Sequence, residues 1–294
     1  MIETRHLYYF AAAARELNIT KAAEMLHITQ PTLSKQLMDL EDKLGKQLFI
    51  RGKRKIILTE EGRYLYNKAL EMIDLMEKTE AVFKENNEII GGDIYLGCGE
   101  TPVMEYITEI FRQIQIEYPE VHFHIYSGDA DSVLNKLDKG LLDAGLLLGP
   151  ISYEKYDCIN IHRKDTFGLI MPKDCPLADY EYLTMEQIKE LPLILARQTF
   201  LGHQEIKWFG ADYMSMNIVG TYNLIYNATF MVEKGIGYAI CLANLVNDDI
   251  NRNITFRPIR PELSAELYIV TKKYETFSPA VKLFINKIKD FRDY

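Results

Sequence analysis

The chain has 294 residues, 48% hydrophobic and 26% charged, an ordinary globular balance with room for two domains and a large buried core. Its apolar runs, such as Ala144 to Leu148 and Tyr238 to Leu242, are far shorter than the ~20 residues that cross a bilayer, and no apolar leader follows Glu3 and Arg5, so a cytoplasmic protein without membrane contact is expected. The net charge of −8 is unevenly divided: residues 1–58 hold ten Lys/Arg against six Asp/Glu (+4), and the remainder 24 against 36 (−12), a basic head of nucleic-acid-binding type on an acidic body.

Residues 1–58 read as a small helical domain with a hairpin. Between Thr4 and Arg15, Leu7, Phe10, Ala11 and Ala14 recur at helical spacing. Asn18-Ile19-Thr20 supplies a polar start for a short helix over Lys21 to Leu26. Thr29 then caps a third helix from Gln30 to Leu44, with Pro31 in the first turn and Gly45 as the stop. Leu33, Leu37, Leu40 and Leu44 form its core-facing stripe. Two short helices around a tight turn, with small Ala22 and Ala23 at the close approach, make a helix-turn-helix. Gln47 to Arg51 and Lys55 to Leu58 read as strands around Gly52-Lys53-Arg54, a wing with a basic tip.

Residues 59–90 form a linker, helical from Thr59 to about Asn87, with Leu65, Ala69, Met72, Ile73, Met76, Val82 and Phe83 as its apolar stripe. Such a helix spans about 42 Å, and its stripe is long and exposed enough that packing against a second copy is expected, the alternative being that it folds back on its own domain. After Gly91 and Gly92 the pattern changes to strand, helix, strand, helix, strand over Asp93–Gly99, Pro102–Tyr118, Val121–Tyr126, Asp131–Gly140 and Ala144–Leu148. Strands at Phe167–Met171, Pro192–Ala196, Ile218–Thr221, Tyr238–Leu242 and Leu267–Thr271 follow, with helices at Met185–Glu190, Gln204–Met214, Leu224–Lys234 and Ser278–Phe291. The alternation predicts a mostly parallel, doubly wound α/β sheet over residues 91–294. Cys98, Cys158, Cys175 and Cys241 are scattered without a CxxC pair, and His122 and His124 share a strand face without a third ligand, so no metal site is expected.

Phe10-Ala11-Ala12, Ala22-Ala23-Glu24-Met25-Leu26, Gln30-Pro31-Thr32-Leu33-Ser34, Leu40-Glu41, Leu44-Gly45, Leu48-Phe49-Ile50-Arg51 and Leu58-Thr59 followed by Gly62 form one spaced signature. Phe167-Gly168-Leu169-Ile170-Met171-Pro172, Cys175-Pro176-Leu177-Ala178 and Gly235-Ile236-Gly237-Tyr238-Ala239-Ile240 extend it more loosely. With these residues the chain resembles the LysR-type transcriptional regulators over its whole length. The resemblance implies an α/β protein overall, with an N-terminal winged helix-turn-helix, a long linker helix and a C-terminal two-lobed, periplasmic-binding-protein-like effector domain. Carried onto this chain, lobe one covers 91–162 and 268–294 and lobe two covers 163–267, joined by two crossover strands. The implied partners are double-stranded promoter DNA, a small-molecule effector of unspecified identity, a second chain through the linker helix, a homotetramer and RNA polymerase. No cofactor and no catalytic residue is expected.

The amino end of the third helix presents Thr29, Gln30, Pro31, Thr32, Ser34, Lys35 and Gln36. Gln pairs with the N6 and N7 edge of adenine, Ser and Thr reach bases or phosphates, and Pro packs on a thymine methyl. Lys35 stands where the family often has Arg, and a point-charge ammonium lacks the bidentate fork for guanine. Arg51, Lys53, Arg54 and Lys55 are expected to contact phosphate or the minor groove and to fix register, the alternative being a merely solvated basic turn.

Ligands of doubly wound folds sit at the carboxyl ends of strands. The loops there hold Glu100 and Thr101, Ser127 and Gly128, Gln198, Thr199 and Phe200, and Tyr222, and the resemblance places an effector cleft at the same loops. Thr101, Ser127, Gln198 and Thr199 are expected to offer hydrogen bonds, with Phe200 or Tyr222 as an apolar wall; the alternatives are that Thr101 caps its helix, that Ser127 and Asp129 build a turn, and that Phe200 is ordinary core. Glu100, if it points inward, opposes an anion and favours a cationic, zwitterionic or neutral ligand. Cys241-Leu242-Ala243 departs from the family's usual Leu-Pro after this strand, and Cys175 and Cys241 are not spaced as a redox pair. No G-x-S-x-G, P-loop, G-x-G-x-x-G or H-E-x-x-H is present, which argues against an enzyme. A purely architectural DNA binder is the other alternative.

Overall fold

The computed structural model describes residues 2–52, 55–83, 90–149, 151–197, 216–246 and 253–291. The chain divides into two compact units, residues 1–85 and 86–294.

In the first unit, α1 (Thr4–Glu16), α2 (Ile19–Met25) and α3 (Gln30–Leu44) form a three-helix core. Local chemistry sets their ends. The Asn18 side-chain oxygen accepts the N–H groups of Thr20 and Lys21 at 2.9 and 3.1 Å and starts α2. Thr29 accepts from Thr32 N–H to start α3, and Gly45 ends it at φ 64°, a left-handed position that costs glycine nothing. Phe10, Leu33, Leu37 and Leu40 fill the core with Ala13, Ala22 and Ala23 between them. The expected stripe on α3 stops one turn early, because Leu44 lies beyond this core and is 36% exposed.

The wing is β1 (Phe49–Arg51) paired antiparallel with β2 (Ile56–Leu58), Phe49 facing Leu58, and closed by Gly52 N–H on Lys55 C=O at 2.9 Å. The next helix, α4 (Glu60–Phe83), is about 36 Å long at the usual rise. Thr59 accepts Gly62 N–H at 2.9 Å and donates to Gln47 C=O at 2.8 Å, which ties the start of α4 to the wing. The expected single stripe on α4 is in fact divided. Leu65, Ala69 and Ile73 pack into the core of their own unit against α1, and among the described residues Met72, Leu75 and Phe83 are the outward-facing large apolar groups on its later turns. Asn87 and the Val82 side chain, expected at its end, lie outside the described residues.

The second unit contains β3 (Gly92–Cys98), α5 (Met104–Glu117), β4 (Val121–Ser127), α6 (Ala130–Asp138), β5 (Ala144–Leu148) and the long β6 (Tyr156–Pro172). Next come β7 (Leu183–Thr184), α7 (Met185–Ile188), β8 (Leu193–Ala196), β9 (Ile218–Tyr222), α8 (Ile225–Glu233), β10 (Tyr238–Leu242), β11 (Ile254–Arg260), β12 (Ser264–Lys272) and α9 (Pro279–Phe291). Strands run in the order β4-β3-β5-β12-β6-β10-β8-β9, with β11 beside β6 and β7. The outer pairs β3–β4, β3–β5, β8–β9 and β8–β10 are parallel, as the alternation predicts. The centre is not: β12 runs antiparallel to β5 and β6, and β10 and β11 antiparallel to β6. The expectation of a mostly parallel sheet fails there because β6 and β12 are the two strands that pass between the lobes.

Each lobe has its own core. Ile94, Leu96, Ile107, Ile110, Ile161 and Phe284 lie at the centre of lobe one, and Leu169, Met171, Leu183, Leu193 and Ile259 at that of lobe two. Of β6 only Phe167–Met171 was expected as a strand, and β11, with Pro258 in it, was not expected at all. Pro258 sits opposite Gly168, where an added Cβ would meet Phe256 and the Arg257 carbonyl, so the two strands lie unusually close. The expected helix at Gln204–Met214 falls outside the described residues. Among the described residues no helix is long and apolar enough to cross a membrane, and no group of three or more His, Cys, Asp or Glu is arranged to hold a metal ion.

Candidate functional site

At the amino end of α3, Thr29, Gln30, Pro31, Thr32 and Lys35 are exposed and Ser34 is half-buried. The first turns of α2 and α3 carry no acidic residue, so their N–H ends keep the positive potential that attracts phosphate. Two internal contacts order this surface: Gln30 Nε2 donates to Ser34 Oγ at 2.8 Å, and the Thr29 and Thr32 hydroxyls meet at 2.7 Å. Gln36 departs from the expected presentation. It is half-buried, and its Oε1 is enclosed with no hydrogen-bond partner among the described residues.

The wing is held to α3 by a residue not singled out from sequence. Glu41 Oε1 accepts the backbone N–H groups of Leu48 and Phe49 at 2.7 and 3.1 Å. Its position in the Leu40-Glu41 motif was the available signal. Arg51 ends β1, its side chain lying outside the described residues together with Lys53 and Arg54.

In the second unit the carboxyl ends of β3, β5, β8, β9 and β10 surround a cavity of about 320 Å³ between the lobes. Glu100, Thr101 and Gly128 line it from lobe one and Tyr222 from lobe two. Ser127 instead lines a more open cavity of about 820 Å³ beside Ile125, Tyr226 and Phe230, which shares Glu100 and Thr101 with the first. Gln198, Thr199 and Phe200 lie outside the described residues. The walls of the first cavity are mostly apolar, with Leu146, Leu148, Leu195, Leu242 and Leu267 drawn from both lobes.

Several polar groups of this cavity hold other parts of the chain. Glu100 Oε2 accepts the N–H of Ile225, the first residue of α8, at 2.5 Å, and so crosses from one lobe to the other. Thr101 is 7% exposed; its hydroxyl donates to Asp165 Oδ2 at 2.5 Å and accepts from Val103 N–H at 3.1 Å. Asp165, on β6 where it passes between the lobes, is 6% exposed, and burial raises its carboxyl above the ordinary range while the Thr101 hydroxyl acts in the opposite sense. Asp129 accepts Ser132 N–H at 3.0 Å and caps α6. The Tyr222 hydroxyl donates to Ile240 C=O at 2.6 Å, leaving its ring as wall. Cys241 is buried in the same wall, and burial first, then the charge of Glu100, pushes its thiol well up. Asp165 was not expected from sequence, since nothing local marks a carboxylate whose partner is 64 positions away.

Comparison with known proteins follows this division. Residues 4–63 match the family model described as bacterial regulatory helix-turn-helix protein, lysR family, and residues 89–292 match that of the LysR substrate binding domain. The chain is 28% identical to the Hca operon transcriptional activator HcaR of Escherichia coli (strain K12), covering 98% of each chain. It is also 28% identical to the HTH-type transcriptional regulator AlsR of Bacillus subtilis (strain 168), covering 97% of this chain and 95% of that one. The fold is shared with full-length CbnR in complex with its target DNA, at a TM-score of 0.72 and 19% identity over 98% of this chain and 99% of that one.

Proposed function

Because the chain belongs to the LysR family of bacterial regulatory helix-turn-helix proteins, and is a transcription regulator with a DNA-binding head and a substrate-binding body, we propose how its parts divide the work. Thr29, Gln30, Pro31, Thr32, Ser34 and Lys35 read base edges in the major groove, and Arg51, Lys53 and Arg54 hold phosphate and fix register. The observation that carries this is the exposed, acid-free amino end of α3, with Gln30 already oriented by Ser34. Gln36 contributes less, since its carbonyl oxygen is turned inside.

A net charge of +4 on one head gives modest affinity, so pairing of two heads is part of the device. Met72, Leu75 and Phe83 on α4 supply the apolar face for a second copy, and two such dimers form a tetramer. The cavity between the lobes takes a small-molecule effector that biases the arrangement of the lobes, and with it contact with RNA polymerase. The protein works in the cytoplasm and carries out no catalysis.

Selection from a random DNA pool with the full chain, followed by footprinting, tests the reading. Enrichment of an inverted repeat, with preference relaxed at one base pair of each half-site in Gln30→Ala, supports it. Retention without any enriched sequence would overturn it.

A further inference from the structure

We propose that the cavity between the lobes selects a small organic cation, an amine on an apolar body, and that Glu100 is the residue that selects it. This deepens the effector reading of that cavity and rests on it. The first observation is the lining. Glu100, Asp129 and Asp131 are its charged residues, and none of the described lining residues is Lys, Arg or His. The rest is mainly apolar, which suits a hydrocarbon body, and the described lining gives a carboxylate no counter-charge.

The second observation concerns the donors. An anion entering such a cleft would use a helix N-terminus or a wall hydroxyl. Here three such donors are already held by carboxylates of the protein, and the Tyr222 hydroxyl by the Ile240 carbonyl. Helix α8 has no capping side chain on Leu224 and no acid in its first turn, and its Ile225 N–H is held by Glu100 from the opposite lobe. The N-terminus of α6 is capped by Asp129, and the Thr101 hydroxyl hydrogen goes to Asp165. A ligand carboxylate therefore meets engaged donors and like charge. An ammonium meets acceptors, because a carboxylate has about four lone-pair sites and holds one backbone N–H without exhausting them. Glu100, Asp129 and Asp131 line the same cavity as the apolar residues, so charge and body are recognised together.

The test is a thermal-shift screen of the full-length protein against a metabolite library with equal numbers of amines, carboxylates and neutral molecules, followed by calorimetric titration. Phenethylamine, phenylacetate and phenylacetamide are included as a size-matched set. Each ligand is repeated on Glu100→Gln and on two variants that fill the cavity, Ala196→Phe and Ser152→Trp, the latter at an exposed position outside helix and strand, with the fold of each checked by circular dichroism. The expected result is that amines bind at least tenfold more tightly than matched carboxylates. That preference should fall severalfold in Glu100→Gln, and binding should be lost in a cavity-filled variant. Carboxylates that bind more tightly, and are lost on filling, would overturn the ligand class while leaving the cavity as effector site. No binding at all, or binding indifferent to filling, would overturn the effector reading and the class with it.

Discussion

The carboxylate of Glu100 and the backbone N–H of Ile225, separated by 125 positions in the sequence, are joined across the cleft of the second unit. One lobe thus supplies the N-terminal cap that a helix of the other lobe lacks. Removing it in Glu100→Ala leaves that N–H without its partner, at a cost of about 1 kcal/mol. Calorimetry of the full chain should show the second unit melting about 2–4 °C lower. Glu100→Gln, which keeps an oxygen acceptor but loses the charge at the helix end, should fall between.

Asp165 gives a pH-dependent contribution of defined sign. Burial raises its folded pKa above the unfolded value, so the folded state binds more protons than the unfolded one between the two. Stability from this group is present below the unfolded pKa and is lost as pH rises through the folded one. Asp165→Asn, which still accepts from Thr101, should therefore melt higher than the parent at pH 8, by about 2 °C, and closer to it at pH 4. Equal shifts at both pH values would contradict this origin. Thr101→Val should lower stability, because the buried carboxylate loses its hydroxyl partner.

The thiols of Cys98 and Cys241 should be inert in the folded chain. Burial pushes both up, and Glu100 adds to the effect at Cys241, so little thiolate is present at neutral pH. Labelling with Ellman's reagent at pH 7.5 should reach these two positions only after unfolding in urea. Rapid native labelling of Cys241, located by peptide mapping, would contradict that.

Gly62 stands where the start of α4 passes the wing. A Cβ built there would lie 2.1 Å from the Leu48 carbonyl oxygen and 3.1 Å from a Leu58 methyl, so backbone must shift to admit it. Gly62→Ala should destabilise the first unit by about 1–3 kcal/mol, measured by urea denaturation, and weaken DNA binding by displacing the wing.

For the wing itself, replacing Lys53 and Arg54 together by Ala should weaken all DNA sequences alike. In gel-shift titrations over a salt series, the slope of log K against log salt should decrease in magnitude by up to about two. A loss confined to one base position would assign these residues to base reading instead.

What the sequence by itself determined was local. The capping by Asn18 and Thr29, the stop at Gly45, the helical spacing of Leu33, Leu37 and Leu40 and the hairpin around Gly52 each depend on groups within a few positions of one another. The head and the surface of α3 were therefore legible, as were the parallel strand and helix units of each lobe. Tertiary structure decided whatever depends on which distant segment arrives opposite. It exposed Leu44 by ending the core at Leu40, turned the Gln36 carbonyl inward, and divided the stripe of α4 between its own unit and the outside. It also extended β6 through both lobes, making the sheet centre antiparallel, and moved Ser127 to a neighbouring cavity. Thr101, read as a ligand donor, spends its proton on Asp165, and Glu100 faces inward as the cap of α8. Residue type fixes what a side chain can bond; only packing brings a carboxylate to a helix end 125 positions away, where desolvation makes the pairing count.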